Sequence, residues 1–225
     1  MLSIIIPCLN EAEGIARTLA ALEPARQRGA EVIVVDGGSD DETTEQAAPL
    51  SDSVITAPRG RASQMNAGAR LARGEILLFL HADSLLPDAA DALVIDGLKR
   101  ARRSWGRFDV RIDSRHPLLR AVEYLMNLRS RLTGISTGDQ GIFVTRTLFT
   151  AAGGFPDMPL MEDIELAKRL KRYGPPLCLR HRIVTSGRRW ERRGVLRTIL
   201  LMWSLRLAYW LGADPRRLAM RYDSR

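Results

Sequence analysis

Five acidic side chains of this sequence follow apolar or glycine-rich segments, at the kind of position where α/β proteins bind ligands. They are Asp36, Asp83, Asp139, Glu162 and Asp163. Carboxylates gathered in one cleft repel each other unless a cation lies between them. Oxygen ligands with few histidines suit Mg²⁺ or Mn²⁺ holding a phosphorylated ligand, and the nearby His81 favours Mn²⁺. The pattern predicts a divalent-metal site for a phosphorylated compound.

The elements that must position these acids begin with a strand ending at Asp36. Four consecutive β-branched residues precede this acid, which predicts a strand buried on both faces, and a Gly-Gly-Ser turn follows it. Ligands of open α/β sheets bind beyond the carboxyl ends of strands. The residues expected to meet a ligand here are Asp36, Gly38, Ser39 and Asp41. Alternatively, this turn only caps the next helix.

Strands alternate with helices through the first half of the chain. Further strands are predicted at Leu2–Ile6, at Ser53–Thr56 and in the apolar segment before His81 and Asp83. Repeated β-α units imply a mostly parallel sheet, to which residues 105–113 add an antiparallel strand. We therefore predict an α/β fold with a mixed sheet flanked by helices.

The helix predicted over Pro117–Leu132 carries an apolar stripe. Its members are Leu118, Val122, Leu125, Met126 and Leu132. A stripe at helical spacing is typical of a face packed on a core. We predict that this face is buried.

Length favours one large domain or a domain with an appendage, and the cysteine content favours a reducing compartment. The chain has 225 residues, and its two cysteines, Cys8 and Cys178, do not have metal-ligand spacing. The N-terminus lacks the basic region of a signal peptide, and Pro7 ends its short apolar run. These features predict a cytoplasmic protein.

Positive charge is concentrated at the C-terminal end. Residues 180–225 contain twelve arginines and three acids, a balance of +9, whereas the whole chain carries +8. A basic segment beside an apolar helix favours an anionic surface or a phosphate-bearing substrate, and no nucleic-acid partner is predicted. We divide the chain into a main domain over 1–187, with halves at about 1–102 and 103–187, and a basic helical extension over 188–225.

The helix predicted over Val195–Leu211 is apolar nearly all round. Arg197 and Arg206 interrupt it, at a cost of about 2.5–3.5 kcal/mol each in the middle of a bilayer. This cost argues against a spanning helix and favours peripheral contact with the inner face of the plasma membrane. The alternative is that the helix packs on its own domain or on a second subunit, as in a homodimer.

Six sequence blocks occur in an order that resembles a known family. They are Ile4–Glu11, Val34–Thr43, Gly60–Arg61 with Gln64–Gly68, Phe79–Asp83, Gly138–Gly141, and Gly153–Phe155 leading to Met161–Asp163. Together they resemble the inverting family 2 glycosyltransferases of the GT-A fold, in particular a short subgroup found beside radical-SAM and selenium-associated genes. Neither the dinucleotide fingerprint nor the P-loop motif is present.

The resemblance implies a donor site, a metal site and a base. Residues implied to bind the nucleotide sugar are Pro7, Asn10, Glu11, Asp36, Gly38, Ser39, Asp41, Arg61, Asn66, Ala82, Asp139 and Gln140, with Asp36 on the base edge. Asp83 would bind the metal, with His81 in place of the first acid of the family's Asp-x-Asp motif. Asp163 would be the general base, and Glu162 is its partner in the catalytic pair.

The implied reaction moves a sugar, with inversion and with Mg²⁺ or Mn²⁺, from a nucleotide-diphosphate sugar to an acceptor. A UDP-sugar is the favoured donor, and a lipid-linked compound is one candidate for the undefined acceptor. One alternative is a nucleotidyltransferase of sugar phosphates, although Pro7–Glu11 lacks the lysine-bearing glycine loop expected there. The other is a non-catalytic basic protein that binds membranes or nucleic acid through its C-terminal segment.

Overall fold

The computed structural model describes residues 1–223, and within them all side chains except those of Arg189, Arg192 and Asp223. The last two residues of the predicted 188–225 extension therefore lie outside the described residues. Eight strands form one mixed sheet in the order β3-β2-β1-β4-β7-β6-β8-β5. The strands are β1 (Leu2–Cys8), β2 (Glu31–Asp36), β3 (Ser53–Thr56), β4 (Ile76–Phe79), β5 (Ser84–Leu85), β6 (Trp105–Asp113), β7 (Phe143–Thr145) and β8 (Leu177–Ser186).

Eleven helices are found in the described residues. They are α1 (Ile15–Ala20), α2 (Glu23–Gln27), α3 (Thr43–Ala47), α4 (Arg61–Leu71), α5 (Ala90–Ala101), α6 (Pro117–Thr133), α7 (Arg146–Ala151), α8 (Glu162–Lys171), α9 (Arg188–Arg193), α10 (Val195–Trp210) and α11 (Pro215–Asp223). Short 3-10 turns occur at Ala48–Leu50 and Gly138–Gln140. The predicted mixed α/β architecture is confirmed.

The parallel half of the sheet brings ligand-facing loops to one edge. In β1 and β2, Cys8 pairs with Asp36, and in β2 and β3, Asp36 pairs with Thr56. Strand β4 runs parallel to β1 and ends beside Ile5, so the segment after it emerges at the same edge. Every residue of β1 and β2 is buried, as expected for parallel strands covered on both faces.

Two helical layers cover the sheet, because alternate strand residues point to opposite faces. Ile4 and Ile6 of β1 belong to a core that includes residues of α1, α2 and α5. Ile5 and Ile33 belong to a second core with residues of α4, α7 and α8. This three-layer arrangement fixes the strand ends that carry the predicted acids.

The second half of the sheet differs in part from the sequence-based prediction. Strand β6 is antiparallel to the short β7 but parallel to the long β8, and the two-residue β5, which was not predicted, pairs with β8. The predicted antiparallel character of residues 105–113 therefore holds for only one of the two neighbours. Short irregular pairings of this kind leave little hydrophobic periodicity in the sequence.

The predicted burial of the apolar stripe on α6 is wrong for three of its five members, since only Val122 and Met126 are partly buried. Leu118, Leu125 and Leu132 are exposed, and the buried positions include Leu119 and Glu123. Because β7 pairs only with the first two residues of β6, the remaining edge of β6 is open to side-chain donors and acceptors. Polar residues of α6 pair with it: Asn127 bonds both backbone groups of Val110, and Glu123 accepts from Ile112 N.

The C-terminal helices pack against the start of α8. Leu201 and Leu205 of α10 and Leu218 of α11 form a cluster with Met161 and Ile164, which lie at the start of α8. The opposite face of α10 is exposed. Within residues 1–223, none of the helices combines the length and hydropathy that a bilayer crossing requires.

Candidate active site

A cleft of about 490 Å³ opens at the carboxyl edge of the parallel strands. The end of β1, the segment after β4, the loops before α4 and α8, the 3-10 turn at Gly138–Gln140 and the inner face of α10 line it. Predicted site residues that line the cleft are Pro7, Glu11, Arg61, His81, Ala82, Asp83, Asp139, Glu162 and Asp163. The topology therefore brings the predicted metal ligands and the predicted base into one cavity.

The Asp163 carboxylate is held at the start of α8 and points into this cleft. Its Oδ2 atom accepts a hydrogen bond from the Gly138 backbone N–H at 2.7 Å, and its Oδ1 atom accepts from the Ile164 N–H at 2.7 Å. Met161, immediately before the helix, has a left-handed backbone with φ of 71°. These bonds orient a carboxylate that can accept a proton from a bound hydroxyl group.

Glu162 lies beside Asp163 but is almost fully buried, with 4% of its surface exposed. Burial, together with the negative charge of Asp163, raises the pKa of Glu162 to about 7. The positive charge of Arg61 acts in the opposite direction. Glu162 therefore holds its proton to much higher pH than an ordinary glutamate, as expected when two neighbouring carboxyl groups compete for ionisation.

The candidate metal ligands Asp83 and His81 lie on the segment after β4. Asp83 lines the cleft with its side chain partly exposed. His81 instead faces the 3-10 turn: its Nδ1 atom is 3.3 Å from Asp139 Oδ1, and its ring packs on Gly138. Across residues 1–223, no three His, Cys, Asp or Glu side chains converge as a complete metal site. Mg²⁺ and Mn²⁺ commonly use one or two carboxylates and complete their coordination with substrate phosphates, so Asp83 fits a metal shared with a diphosphate.

Arg188 of α9 bridges acids from two strand ends. Its Nη2 atom lies 3.0 Å from Glu11 Oε2 and 3.9 Å from Asp83 Oδ2, and its Nη1 atom lies 3.5 Å from Glu13. Burial raises the pKa of Glu11, although the bond from Arg188 acts to lower it. Arg188 therefore links the basic extension to Glu11 and Asp83, which line the cleft. The side chains of Arg189 and Arg192 in the same helix lie outside the described residues.

Asp36 is buried behind the cleft and is bonded within its own turn. Its carboxylate accepts hydrogen bonds from the Gly38 N–H at 2.8 Å and from the N–H and hydroxyl of Ser39. Burial would raise the pKa of Asp36, but these bonds outweigh it and hold the pKa below its usual value. Burial and the neighbouring Asp36 also raise the pKa of Cys8 to about 12, so this thiol stays protonated.

Asn10 and Asp41 join the loops that follow β1 and β2. Asn10 Oδ1 accepts from the Asp40 N–H at 3.0 Å, while the Asn10 N–H donates to Ser39 Oγ at 2.9 Å. Asp41 accepts from the Ala12 N–H at 3.1 Å and also bonds Thr43. Both side chains thus fix one continuous wall beside the cleft.

Asn66 and Gln140 also lie away from the cleft lining. Asn66 bonds both the N–H and the carbonyl of Phe155 and so ties α4 to the loop after α7. Gln140 is fully buried, and its Oε1 atom accepts a hydrogen bond from the Thr137 N–H at 3.3 Å. Their bonds in this structure support the walls of the cleft from behind.

Gln64 and Arg206 line the cleft but were not among the predicted site residues. Gln64 Nε2 donates to the Cys8 carbonyl at 2.8 Å and to the Val35 carbonyl at 2.7 Å, which joins the ends of β1 and β2. The sequence feature that could have identified Gln64 is the presence of a glutamine on the apolar face of α4. Arg206 adds positive charge, as does Arg129 behind it, whose pKa burial lowers to about 10.

Comparisons with known proteins agree with this architecture. The glycosyl transferase family 2 domain matches residues 3–151, so the chain belongs to glycosyl transferase family 2. The PGL/p-HBAD biosynthesis glycosyltransferase of Mycobacterium bovis is 41% identical over 96 residues, which cover 40% of this chain and 38% of that protein. The chain therefore spans about two fifths of the length of such curated relatives.

Solved structures show the same fold. The mannosyltransferase PcManGT from Pyrobaculum calidifontis, in complex with GDP-Man and Mn²⁺, has a TM-score of 0.65 and 25% identity, covering 92% of this chain and 60% of that one. S. aureus TarS in complex with UDP has a TM-score of 0.67 and 17% identity, covering 82% of this chain and 60% of that one.

Proposed function

We propose that this protein is an inverting, metal-assisted glycosyltransferase, of the hexosyltransferase type, that uses a nucleotide-diphosphate sugar. The observation that carries the proposal is the position of Asp83 and Asp163 in one cleft, in a chain that belongs to glycosyl transferase family 2. The Asp83 carboxylate is suited to a metal-bound diphosphate, and the Asp163 carboxylate is suited to accept the proton of a hydroxyl nucleophile.

The donor would lie along the edge formed by β1, β2 and β4. Asp36 would accept hydrogen bonds from the nucleotide base, with Ser39 and Asp41 near the base and ribose. Pro7, Asn10 and Glu11 would border the nucleotide, Arg61 would add positive charge at the diphosphate, and Asp83 would hold the metal, with His81 and Asp139 beside it. UDP-sugars are the first donors to test, since the similar TarS structure contains UDP; the PcManGT complex makes GDP-mannose the second.

In the proposed reaction, an acceptor hydroxyl attacks the anomeric carbon from the side opposite the nucleoside diphosphate. The new carbon–oxygen bond forms as the bond to the diphosphate oxygen breaks, and Asp163 accepts the hydroxyl proton. A bound Mg²⁺ or Mn²⁺ would stabilise the negative charge that develops on the diphosphate. Arg61 and Arg188, both near this region, would add positive charge.

We also propose the finer assignments implied by the sequence. These are membership of the short radical-SAM and selenium-associated subgroup, a catalytic unit over 1–187, a cytoplasmic position on the inner membrane face and an acceptor that is lipid-linked. The proximity of α10 to the cleft supports a link between membrane position and acceptor choice. The alternative is that α10 forms the interface of a homodimer.

Calorimetric titration of UDP, GDP and dTDP, and of their sugars, with Mn²⁺, Mg²⁺ or EDTA tests the proposed donor site. We expect one nucleotide series to bind only with a divalent cation, and Asp83→Asn to weaken that binding at least about tenfold. Asp88→Asn, an exposed change five residues away, is the matched control. Lack of binding by every nucleotide under all three conditions would refute the proposed donor site.

A further inference from the structure

A second groove, separate from the main volume of the cleft, lies along α10 and α11. Its volume is about 390 Å³, and three arginines line it together with the exposed side chain of Leu200. They are Arg193, Arg197 and Arg221. No acidic residue of the described chain lines this groove. Three guanidinium groups in one small groove repel one another, so an anion bound between them would stabilise the arrangement.

The outer face of α10 presents a continuous apolar stripe next to this groove. Its members are Leu196, Leu200, Trp203, Leu207 and Trp210, which recur at spacings of three and four residues on one helix face. Each has between 57% and 79% of its surface exposed. Leu200 belongs to both the stripe and the groove, so the apolar and cationic surfaces are contiguous.

Charge decides which occupant suits this surface. Residues 194–222 contain five arginines and a single acid, Asp214. A symmetric dimer would place the same positive surface opposite itself, which is unfavourable. An anionic bilayer instead supplies phosphate groups beside hydrocarbon, and tryptophan side chains such as Trp203 and Trp210 favour that interface.

We propose that the outer face of α10 and α11 docks on an anionic phospholipid bilayer, with a lipid phosphate in the arginine groove and the apolar stripe inserted beside it. Thr198 lines both the groove and the cleft, so docking places the cleft mouth next to the lipid headgroups. This inference deepens the proposed function and rests on it in one respect: the acceptor would then be drawn from the membrane.

Sedimentation of the full chain with phosphatidylglycerol vesicles, and with phosphatidylcholine vesicles, tests the docking. We expect binding only to the anionic vesicles. Arg197→Gln combined with Arg221→Gln should weaken it roughly thirtyfold, from the usual contribution of an arginine near an anionic surface. Trp203→Ser combined with Leu207→Ser should weaken it to a similar degree. Arg17→Gln combined with Arg70→Gln, two exposed arginines elsewhere, should bind as the wild type.

Several results would overturn the proposal. They are the absence of vesicle binding, equal binding to both vesicle types, unchanged binding by the Trp203 and Leu207 double variant, and full competition by millimolar glycerol phosphate, which would indicate a free-phosphate site. If the wild type is a dimer and Trp203→Ser combined with Leu207→Ser dissociates it, a second copy of the chain covers the stripe. Nucleotide titrations of the same variants separate this failure from failure of the donor site, since each variant should bind nucleotide normally.

Discussion

Glu162 and Asp163 are chain neighbours, yet the fold gives them opposite environments: Glu162 is buried, and Asp163 lines the cleft with its carboxylate fixed by backbone N–H groups. A sequence shows that two acids are adjacent but not which of them is buried. The acidic pair was therefore predictable, whereas the raised pKa of Glu162 depends on how α8 packs against α10 and the sheet.

The raised pKa of Glu162 predicts a pH-dependent stability. In the unfolded chain this carboxyl group loses its proton near pH 4.5, but in the folded chain it keeps the proton to about pH 7. Its contribution to stability is therefore present below pH 4.5 and is lost as the pH rises to 7. Relative to Glu162→Gln, the wild type should lose up to roughly 3 kcal/mol of unfolding free energy between pH 5 and pH 8.

Urea unfolding of both proteins at pH 5 and pH 8 measures this difference. Glu165→Gln, a partly exposed acid one turn further along α8, is the control and should show no comparable change. If the unfolding free energies of the wild type and Glu162→Gln change equally between pH 5 and pH 8, the buried environment assigned to Glu162 is contradicted.

Among the elements of the site, the 3-10 turn Gly138–Gln140 contacts both the proposed base, Asp163, and the candidate metal ligand His81. Its first N–H bonds Asp163, and the His81 ring packs against Gly138. A Cβ atom at position 138 would lie 2.5 Å from His81 Nε2, a distance that forces a shift. Gly138→Ala should therefore displace His81 and the turn. We expect a loss of about 1–3 kcal/mol of unfolding free energy and a proportionally larger loss of donor turnover.

Donor turnover and thermal unfolding of Gly138→Ala check this prediction. Gly14→Ala is the matched change, because a Cβ atom there meets nothing within 4 Å. We expect the control to keep wild-type turnover. Wild-type turnover by Gly138→Ala as well would show that the turn does not position the site.

Strand periodicity predicted the elements around the site better than helix periodicity did. The apolar runs Ile4–Ile6 and Val32–Val35 predicted β1 and β2, since burial on both faces leaves a continuous apolar run, although β1 continues through Pro7 to Cys8. The prediction of a buried apolar stripe on α6 failed at three positions, because polar side chains such as Asn127 bond the open edge of β6. The sequence pattern of α6 does not reveal which strand edge it covers.

At the scale of the whole molecule, the C-terminal extension is part of the cleft. The positive charge of this segment was visible in the sequence, but its contact with the start of α8 was not, because contacts between distant segments depend on the fold. Leu205 of α10 is completely buried against Met161 and Ile164, immediately next to the acidic pair.

Leu205→Ala tests whether the extension stabilises the rest of the domain through its contact with the start of α8. Removal of a buried leucine side chain should cost about 2–5 kcal/mol and lower donor turnover, since the start of α8 loses its support. Leu207→Ala, at an exposed position of the same helix, should cost almost nothing. Chemical unfolding measures both, and equal stability of the two variants would show that α10 packs loosely on the domain.

The role of Asp163 is tested most directly by hydrolysis of the nucleotide sugar, in which water takes the place of the acceptor hydroxyl and nucleoside diphosphate is released. Release and donor binding are measured on the same samples of wild type and Asp163→Asn in Mn²⁺. We predict unchanged donor affinity and a loss of roughly 10²–10⁴-fold in rate for the variant, because the proton of the attacking water then has no carboxylate to accept it. Wild-type rates from Asp163→Asn would contradict the assignment of the base, and the absence of both metal-dependent donor binding and release in the wild type would contradict the proposed glycosyltransferase itself.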